Sequence, residues 1–91
     1  MESTLEISKT QVREKVREFI IENFMFGQGG ETLSDSASLL DEGILDSTGV
    51  MEMVLFAGET YGFQVTAEEL LPDNFDSVDY LTRYICRKLG I

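Results

Sequence analysis

The stretch Leu45-Asp46-Ser47-Thr48-Gly49 decides the fold that the sequence predicts, because a long loop ends there and a helix begins. Several glycines precede it, and glycines break helices and are typical of turns. Downstream, apolar residues recur at helical spacing from about Thr48 to Tyr61. We therefore expect Ser47 at or beside the first position of a helix, where backbone N–H groups lack intrahelical partners.

This position allows two interpretations of the Asp-Ser pair. Asp46 or Ser47 could serve only as an N-cap, which is the commoner role of such a pair before a helix. The positive end of the helix dipole also favours a negative group, so a phosphate carried on Ser47 would be stabilised there. Position alone does not choose between a cap and an attachment site.

The length and composition of the chain predict one globular domain. With 91 residues, it is large enough for one modest core and too short for two. We expect a single domain over residues 1–91, with residues 1–7 as a loose lead-in. No apolar run reaches the ~18 residues of a membrane span, and the N-terminus has neither the basic start nor the apolar centre of a signal peptide. We therefore expect a cytoplasmic protein that does not insert into membranes.

The charge of the chain is strongly negative and unevenly distributed. It has 17 acidic and 7 basic side chains, a formal net charge of −10. The basic residues lie near the two ends, and none falls between Glu18 and Thr82. Such a charge repels nucleic acid, whose binding needs basic side chains, and would attract basic protein surfaces. An acidic surface kept only for solubility would not explain why the cations are segregated.

The residue content excludes most catalytic chemistry. The sequence has no histidine and one cysteine, so Ser47 has no histidine base, and it also lacks the glycine that opens a nucleophile elbow. Zinc would need Cys or His ligands that the chain does not contain. Cys86 cannot form an internal disulfide, and we interpret it as a small hydrophobe at the rim of the core. We expect no enzyme activity, no catalytic residues and no metal site.

The remaining pattern predicts an all-α fold of three main helices and one short one. Ser8 and Gln11 have the spacing of a capping box, which begins helix 1, and this helix should end near Phe26-Gly27. The long loop that follows, from Gln28 to Asp46, carries leucines and isoleucines that can reach the core. They are Leu33, Leu39, Leu40, Ile44 and Leu45.

The C-terminal third predicts one short helix and one long helix. Thr66 and Glu69 repeat the capping-box spacing, which begins a short helix that Pro72 stops. Asp76 or Ser77 then caps the last helix. The buried stripe of that helix is expected to be Val78, Leu81, Ile85 and Leu89.

A helical wheel at 100° per residue divides helix 2 into two arcs. The arc expected to face the core contains Val50, Met51, Val54, Leu55, Ala57, Gly58 and Tyr61. The opposite arc contains Glu52, Phe56 and Glu59, with Met53 at its edge. Because an aromatic side chain and an adaptable methionine lie beside two carboxylates, we expect these four residues to form a docking face for a partner protein.

The run Leu40-Asp41-Glu42-Gly43-Ile44-Leu45-Asp46-Ser47 resembles the prosthetic-group site of the acyl carrier protein family. In that family an Asp-Ser pair starts the second helix and its serine carries 4'-phosphopantetheine. The resemblance covers about residues 8 to 89. Further residues that fall where such carriers place comparable ones are Glu59, Tyr61-Gly62-Phe63, Val65 and Phe75-Asp76-Ser77-Val78.

The resemblance implies a fold and a function. It implies an acyl-carrier-like bundle, with the long loop between helices 1 and 2, acting as a monomer. It also implies that a phosphopantetheinyl transferase attaches 4'-phosphopantetheine from coenzyme A to Ser47, next to Asp46, and that the arm's thiol holds an acyl group as a thioester. The partners would be an acyl- or aminoacyl-loading ligase and downstream acyl-transfer enzymes, to which the chain presents its tethered substrate in turn.

Two departures from the family leave alternatives open. Thr48 follows the serine where carriers of fatty acid synthesis commonly have leucine, and the first half of helix 2 has few acids. The Gly-Gly-His/Asp-Ser signature of many peptidyl carriers is absent, but Gly-Ile-Leu-Asp-Ser is similar to stand-alone carriers loaded by an adenylating enzyme. The hypotheses are an acyl carrier of lipid or secondary metabolite biosynthesis, a stand-alone aminoacyl or peptidyl carrier, and a non-catalytic helical adaptor.

Overall fold

The computed structural model describes residues 7–91, which fold into four α-helices and contain no β-strand. The all-α class and the three long helices are confirmed, whereas the short α-helix begins at Pro72 instead of preceding it. Most of the expected lead-in falls on residues 1–6, outside the described range. The helices are α1 (Lys9–Phe24), α2 (Ser47–Tyr61), α3 (Pro72–Phe75) and α4 (Val78–Leu89), and single 3-10 turns span Gly30–Thr32 and Ala67–Glu69. None of the helices in residues 7–91 is long and apolar enough to cross a membrane.

The start of α1 follows the predicted capping box. The Ser8 hydroxyl accepts a hydrogen bond from the Gln11 N–H at 3.1 Å, and the Ser8 N–H donates to the Gln11 side chain at 3.0 Å. The helix ends at Phe24, slightly before the predicted position. The backbone then turns left-handed at Phe26 and Gly27, with φ of 58° and 76°, which ends the helix.

The prediction that Pro72 stops a helix was wrong. The Thr66 N–H does donate to Glu69 Oε1 at 3.1 Å, but the segment makes only one 3-10 turn, and Pro72 then begins α3. Proline suits the first position of a helix because its missing N–H needs no acceptor there. The cap of α4 is Ser77, whose hydroxyl accepts from the Tyr80 N–H at 2.9 Å, so Asp76 is free for another role.

The core lies mainly between α1 and α4, and α2 and the long loop close it. The α4 stripe is confirmed at Val78, Leu81 and Ile85, which are fully buried. Leu40, which we expected in the core, is instead 39% exposed. The other buried apolar residues are Val12, Val16, Ile20, Leu33, Leu39, Leu45, Met53, Ala57, Phe75, Tyr84 and Cys86.

The predicted orientation of α2 was wrong in part. Several residues of the core arc are buried or pack against the core as expected, namely Ala57, Val50, Val54 and Tyr61. Other residues are not where the wheel placed them. Met53, assigned to the edge of the exposed arc, is fully buried, whereas Met51 and Leu55, assigned to the core arc, are 50% and 59% exposed. Phe56, assigned to the centre of the exposed arc, is half-buried, and its ring stacks on that of Phe19 with centroids 4.2 Å apart. Aromatic pairing with α1 therefore holds the side of α2 that we had assigned to a partner.

The reason for this rotation is a line of buried residues at four-residue steps, Gly49, Met53 and Ala57. A Cβ atom on Gly49 would lie 2.9 Å from Leu45 Cδ2 and 3.2 Å from Phe24 Cε1. Because Gly49 and Ala57 are small, α2 approaches the rest of the core closely along this line of residues. The buried line therefore differs from the most apolar arc of the helix. A wheel that ranks residues by hydrophobicity cannot detect this effect.

The orientation of α2 can be tested with two methionines of the same helix. Met53→Ala should lower the free energy of unfolding by about 2–5 kcal/mol, because it leaves a cavity in the core. Met51→Ala, a matched control on the exposed side, should change it by less than about 1 kcal/mol. Urea denaturation followed by circular dichroism measures both. If Met51→Ala lowers the free energy of unfolding more than Met53→Ala does, the orientation predicted by the wheel is correct.

Candidate functional site

Ser47 is the first residue of α2, and its side chain is exposed. Its hydroxyl forms no hydrogen bond with any residue in the range 7–91. The capping role belongs to Asp46, whose Oδ1 accepts from the Gly49 N–H at 2.8 Å. Of the two candidate caps, Asp46 therefore caps the helix, and the Ser47 hydroxyl has no hydrogen-bond partner within residues 7–91.

The first turn of α2 also has unpaired donors. Over the part of the chain that the structure describes, the backbone N–H groups of Ser47 and Thr48 have no acceptor, while those of Gly49 and Val50 bond to Asp46. α2 has 15 residues, so its dipole is well developed at this end. An anion attached to Ser47 would lie where the backbone presents positive partial charge.

A groove of about 390 Å³ opens beside Ser47, between the start of α2 and the segment around α3. Apart from Ser47 and Asp76, its walls are entirely apolar. Several of the wall side chains remain substantially exposed, among them Leu71 at 54%. The lining residues are Leu40, Ser47, Val50, Met51, Leu70, Leu71, Pro72, Phe75 and Asp76.

Asp76 fixes the loop that leads to Ser47. Its backbone oxygen accepts from the Leu39 N–H at 2.8 Å, and its carboxylate accepts from the Leu40 N–H at 2.9 Å and from the Ser38 hydroxyl at 2.5 Å. The sequence made Asp76 a candidate cap for α4 and part of the family resemblance, but it predicted no bond from Asp76 to the long loop. The two residues bonded to the carboxylate, Leu40 and Ser38, lie 36 and 38 residues before Asp76 in the sequence. No local sequence pattern could therefore predict these bonds.

Glu69 is the centre of a second polar cluster, behind the groove. Its Oε1 accepts from the Tyr84 hydroxyl at 2.8 Å, and the Lys88 ammonium lies 3.1 Å from each carboxylate oxygen. The bond from Tyr84, then the Thr66 N–H and then Lys88 lower the pKa of Glu69 to about 2. Burial, and next the bond to Glu69, raise the pKa of Tyr84. Spacing predicted the contact with Thr66 but not those with α4.

The predicted docking face is not formed as a unit. Glu52 and Glu59 are exposed as expected, but Met53 is buried and Phe56 packs on α1. The exposed apolar residues nearest to these acids are Met51 and Leu55. At 100° per residue, Met51, Leu55, Glu59 and Glu52 lie within one 100° arc, which we call the α2 face.

The remaining candidate chemistry is limited. Cys86 lies in the core, 7% exposed, and burial raises the pKa of its thiol. In residues 7–91, no group of three or more carboxylate, thiol or imidazole side chains is placed to hold a metal ion. The free Ser47 hydroxyl beside the apolar groove is therefore the strongest candidate site.

No protein-family model matches the chain, and no curated protein matches it significantly.

The Glu69 cluster predicts a specific response to acid. In the fold the pKa of Glu69 is lowered from 4.5 to about 2, so ionised Glu69 stabilises the folded state above about pH 4.5. This contribution is lost as the pH falls toward 2. Glu69→Gln removes the titrating group. The melting-temperature difference between the native chain and Glu69→Gln should therefore shrink between about pH 6 and pH 2.5.

Glu68→Gln is the matched control, since Glu68 lies in the same turn and its side chain forms no hydrogen bond within the described range. Its melting temperature should follow that of the native chain at every pH. If the melting-temperature difference between the native chain and Glu69→Gln stays constant across this pH range, the fold does not stabilise the ionised form of Glu69 over its protonated form.

Proposed function

We propose that the chain is an acyl carrier that holds an acyl group as a thioester on 4'-phosphopantetheine attached to Ser47. One observation carries this proposal: an exposed serine hydroxyl without a structural role lies at a helix N-terminus, at the edge of an apolar groove. Because Asp46 caps α2, Ser47 can be modified without loss of the cap. The surrounding residues fit the group, since the first turn of α2 offers unpaired N–H donors for a phosphodiester.

The prosthetic group would supply what the chain lacks, an exposed thiol on a flexible arm. The protein itself would contribute three things. Ser47 provides the point of attachment, the first turn of α2 stabilises the negative charge by about 0.3–1 kcal/mol, and the groove shelters an apolar cargo. Catalysis of loading and transfer would belong to the partner enzymes, for which the tether maintains a high local concentration of substrate.

The lining of the groove favours an acyl cargo over the aminoacyl alternative. Val50, Met51, Leu70 and Leu71 offer no polar partner for an ammonium or amide group. The Asp76 carboxylate also lines the groove, but both of its oxygens already accept hydrogen bonds, from the Ser38 hydroxyl and the Leu40 N–H. Each methylene transferred from water into such surroundings contributes about 0.8 kcal/mol, whereas a buried amine without a partner is unfavourable. A helical adaptor, the third alternative, would need neither the free hydroxyl nor the groove.

The α2 face is the surface through which partners would dock. Met51 and Leu55 supply exposed apolar area, and Glu52 and Glu59 supply negative charge next to it. This face is on the same helix as Ser47, so a basic partner bound there would be near the attachment point. Electrostatic steering followed by small apolar contacts gives fast and reversible association, which suits the passage of a cargo between enzymes.

Attachment to Ser47 can be tested by mass spectrometry. Incubation of the chain with a phosphopantetheinyl transferase of broad specificity, Mg²⁺ and coenzyme A should add one phosphopantetheine. Ser47→Ala should abolish this mass increment and change the free energy of unfolding by less than about 0.5 kcal/mol, since the side chain is exposed and unbonded.

Two variants complete the test. Ser34→Ala removes another exposed serine from the loop before α2 and should leave modification unchanged. Asp46→Ala should lower the free energy of unfolding by about 1 kcal/mol through loss of the cap. Modification of Ser47→Ala, or no modification of the native chain by several such transferases, would contradict the proposal.

The α2 face can be tested through the rate of the same modification. Leu55→Ala should reduce kcat/KM about 5- to 30-fold if Leu55 contributes ~1–2 kcal/mol to the contact. Glu52→Lys should slow association, and this effect should weaken as the salt concentration rises. Glu31→Lys, a matched charge reversal away from α2, should have a clearly smaller effect. Equal effects of Glu52→Lys and Glu31→Lys would assign the steering to net charge alone.

A further inference from the structure

We infer that Glu69 is a positioning residue that fixes the far wall of the groove from behind, by attaching it to α4. The wall consists of residues 70–75, of which Leu70, Leu71, Pro72 and Phe75 line the groove. This inference deepens the proposed function, because the groove is the place proposed for the cargo. It assigns control of the groove to residues that do not line it.

Three side chains of α4 bond to the wall or to Glu69 just before it. The Glu69 carboxylate accepts from the Tyr84 hydroxyl and from Lys88. The Asn74 amide links both ends of the wall, since it donates to the Glu69 backbone oxygen at 2.8 Å and accepts from the Arg87 guanidinium at 2.9 Å. Three α4 side chains, at positions 84, 87 and 88, therefore hold the segment, and none of them lines the groove.

Burial alone would not keep this wall in place. Leu70 and Leu71 are 42% and 54% exposed, so they contribute little packing energy that would fix them. Only Phe75, at the far end, is buried, and its ring packs on Tyr84 with centroids 5.1 Å apart. The near end, before Leu70, is fixed by the polar bonds of Glu69. Tyr84 supports both ends, one with its ring and the other with its hydroxyl.

A groove with a fixed wall binds an apolar ligand more tightly than one whose wall must be ordered on binding. The Glu69 cluster thus preorganises the groove while it contacts neither the groove's contents nor Ser47. Glu68, its neighbour in the 3-10 turn Ala67–Glu69, is exposed and makes no such bonds within residues 7–91. The two glutamates differ mainly in this connection, which makes them a matched pair for an experiment.

The test measures binding of an uncharged apolar fluorophore, N-phenyl-1-naphthylamine, to the unmodified full chain. Val50→Glu places a charge in the groove and should abolish binding, which locates the probe. Glu69→Ala should raise the Kd of the probe about three- to tenfold, as expected for loss of preorganisation. Glu68→Ala should leave the Kd unchanged.

A destabilised control separates positioning from general stability. Arg17→Ala removes an ion pair of α1 with Asp35, away from the groove, so it should lower the melting temperature but not the affinity for the probe. Tyr84→Phe keeps the ring against Phe75 and loses only the hydroxyl bond. It should raise the Kd of the probe about two- to fourfold. This variant tests the positioning role of the Glu69 cluster if Glu69→Ala does not fold.

The inference is overturned if Glu69→Ala and Tyr84→Phe bind the probe as the native chain does, or if Arg17→Ala weakens binding equally. It is also overturned if the native chain does not bind the probe, or if Val50→Glu does not abolish the binding. None of these results depends on modification of Ser47, since the chain in these titrations carries no prosthetic group. Failure here and failure of the attachment test are therefore distinguishable.

Discussion

The position of Ser47 depends on one residue, Asp76, which lies far from it in sequence. Its backbone oxygen and its carboxylate bind the loop at Leu39, Leu40 and Ser38, just before the turn that leads to Ser47. A connection as long as the one between α1 and α2 has high conformational entropy unless tertiary bonds remove it. Because Asp76 also adjoins the cap of α4, the start of α2 is fixed relative to the core. Ser47 thus lies on a rigid element although a loop precedes it.

The distribution of charge can now be connected with the architecture. The basic ends of the sequence form α1 and α4, and their cations bind the two irregular segments. Arg17 donates to the backbone oxygens of Gly30 and Leu33 and pairs with Asp35 at 2.6 Å. Lys88 pairs with Glu69 at 3.1 Å in the other segment. Segregation of the cations therefore has a structural use, and it leaves the acids of α2 without cationic neighbours on their own helix.

The sequence was sufficient to predict what local chemistry controls. The capping box at Ser8, a cap for α2 at Asp46 or Ser47, a cap for α4 at Asp76 or Ser77, and the α4 stripe all depend on neighbours within four residues. The orientation of α2 depends on close packing at Gly49 and Ala57, which hydrophobicity does not report. The same limit applies to the candidate site. The place of Ser47 at a helix start was predicted from local spacing, and its role as an attachment residue was a prediction from the family resemblance. The groove, the bonds of Asp76 and the Glu69 cluster are made by contacts between distant parts of the chain.

The burial of Cys86 has a consequence for any thioester chemistry at this protein. A thioester exchanges readily with an accessible thiolate, and such exchange would move a tethered acyl group onto the chain itself. Cys86 is 7% exposed, and its burial raises the pKa of the thiol, so it is both inaccessible and protonated near neutral pH. The sequence has no other cysteine and no histidine. A thioester on the proposed prosthetic group would therefore not be lost by exchange with a thiol of the chain itself.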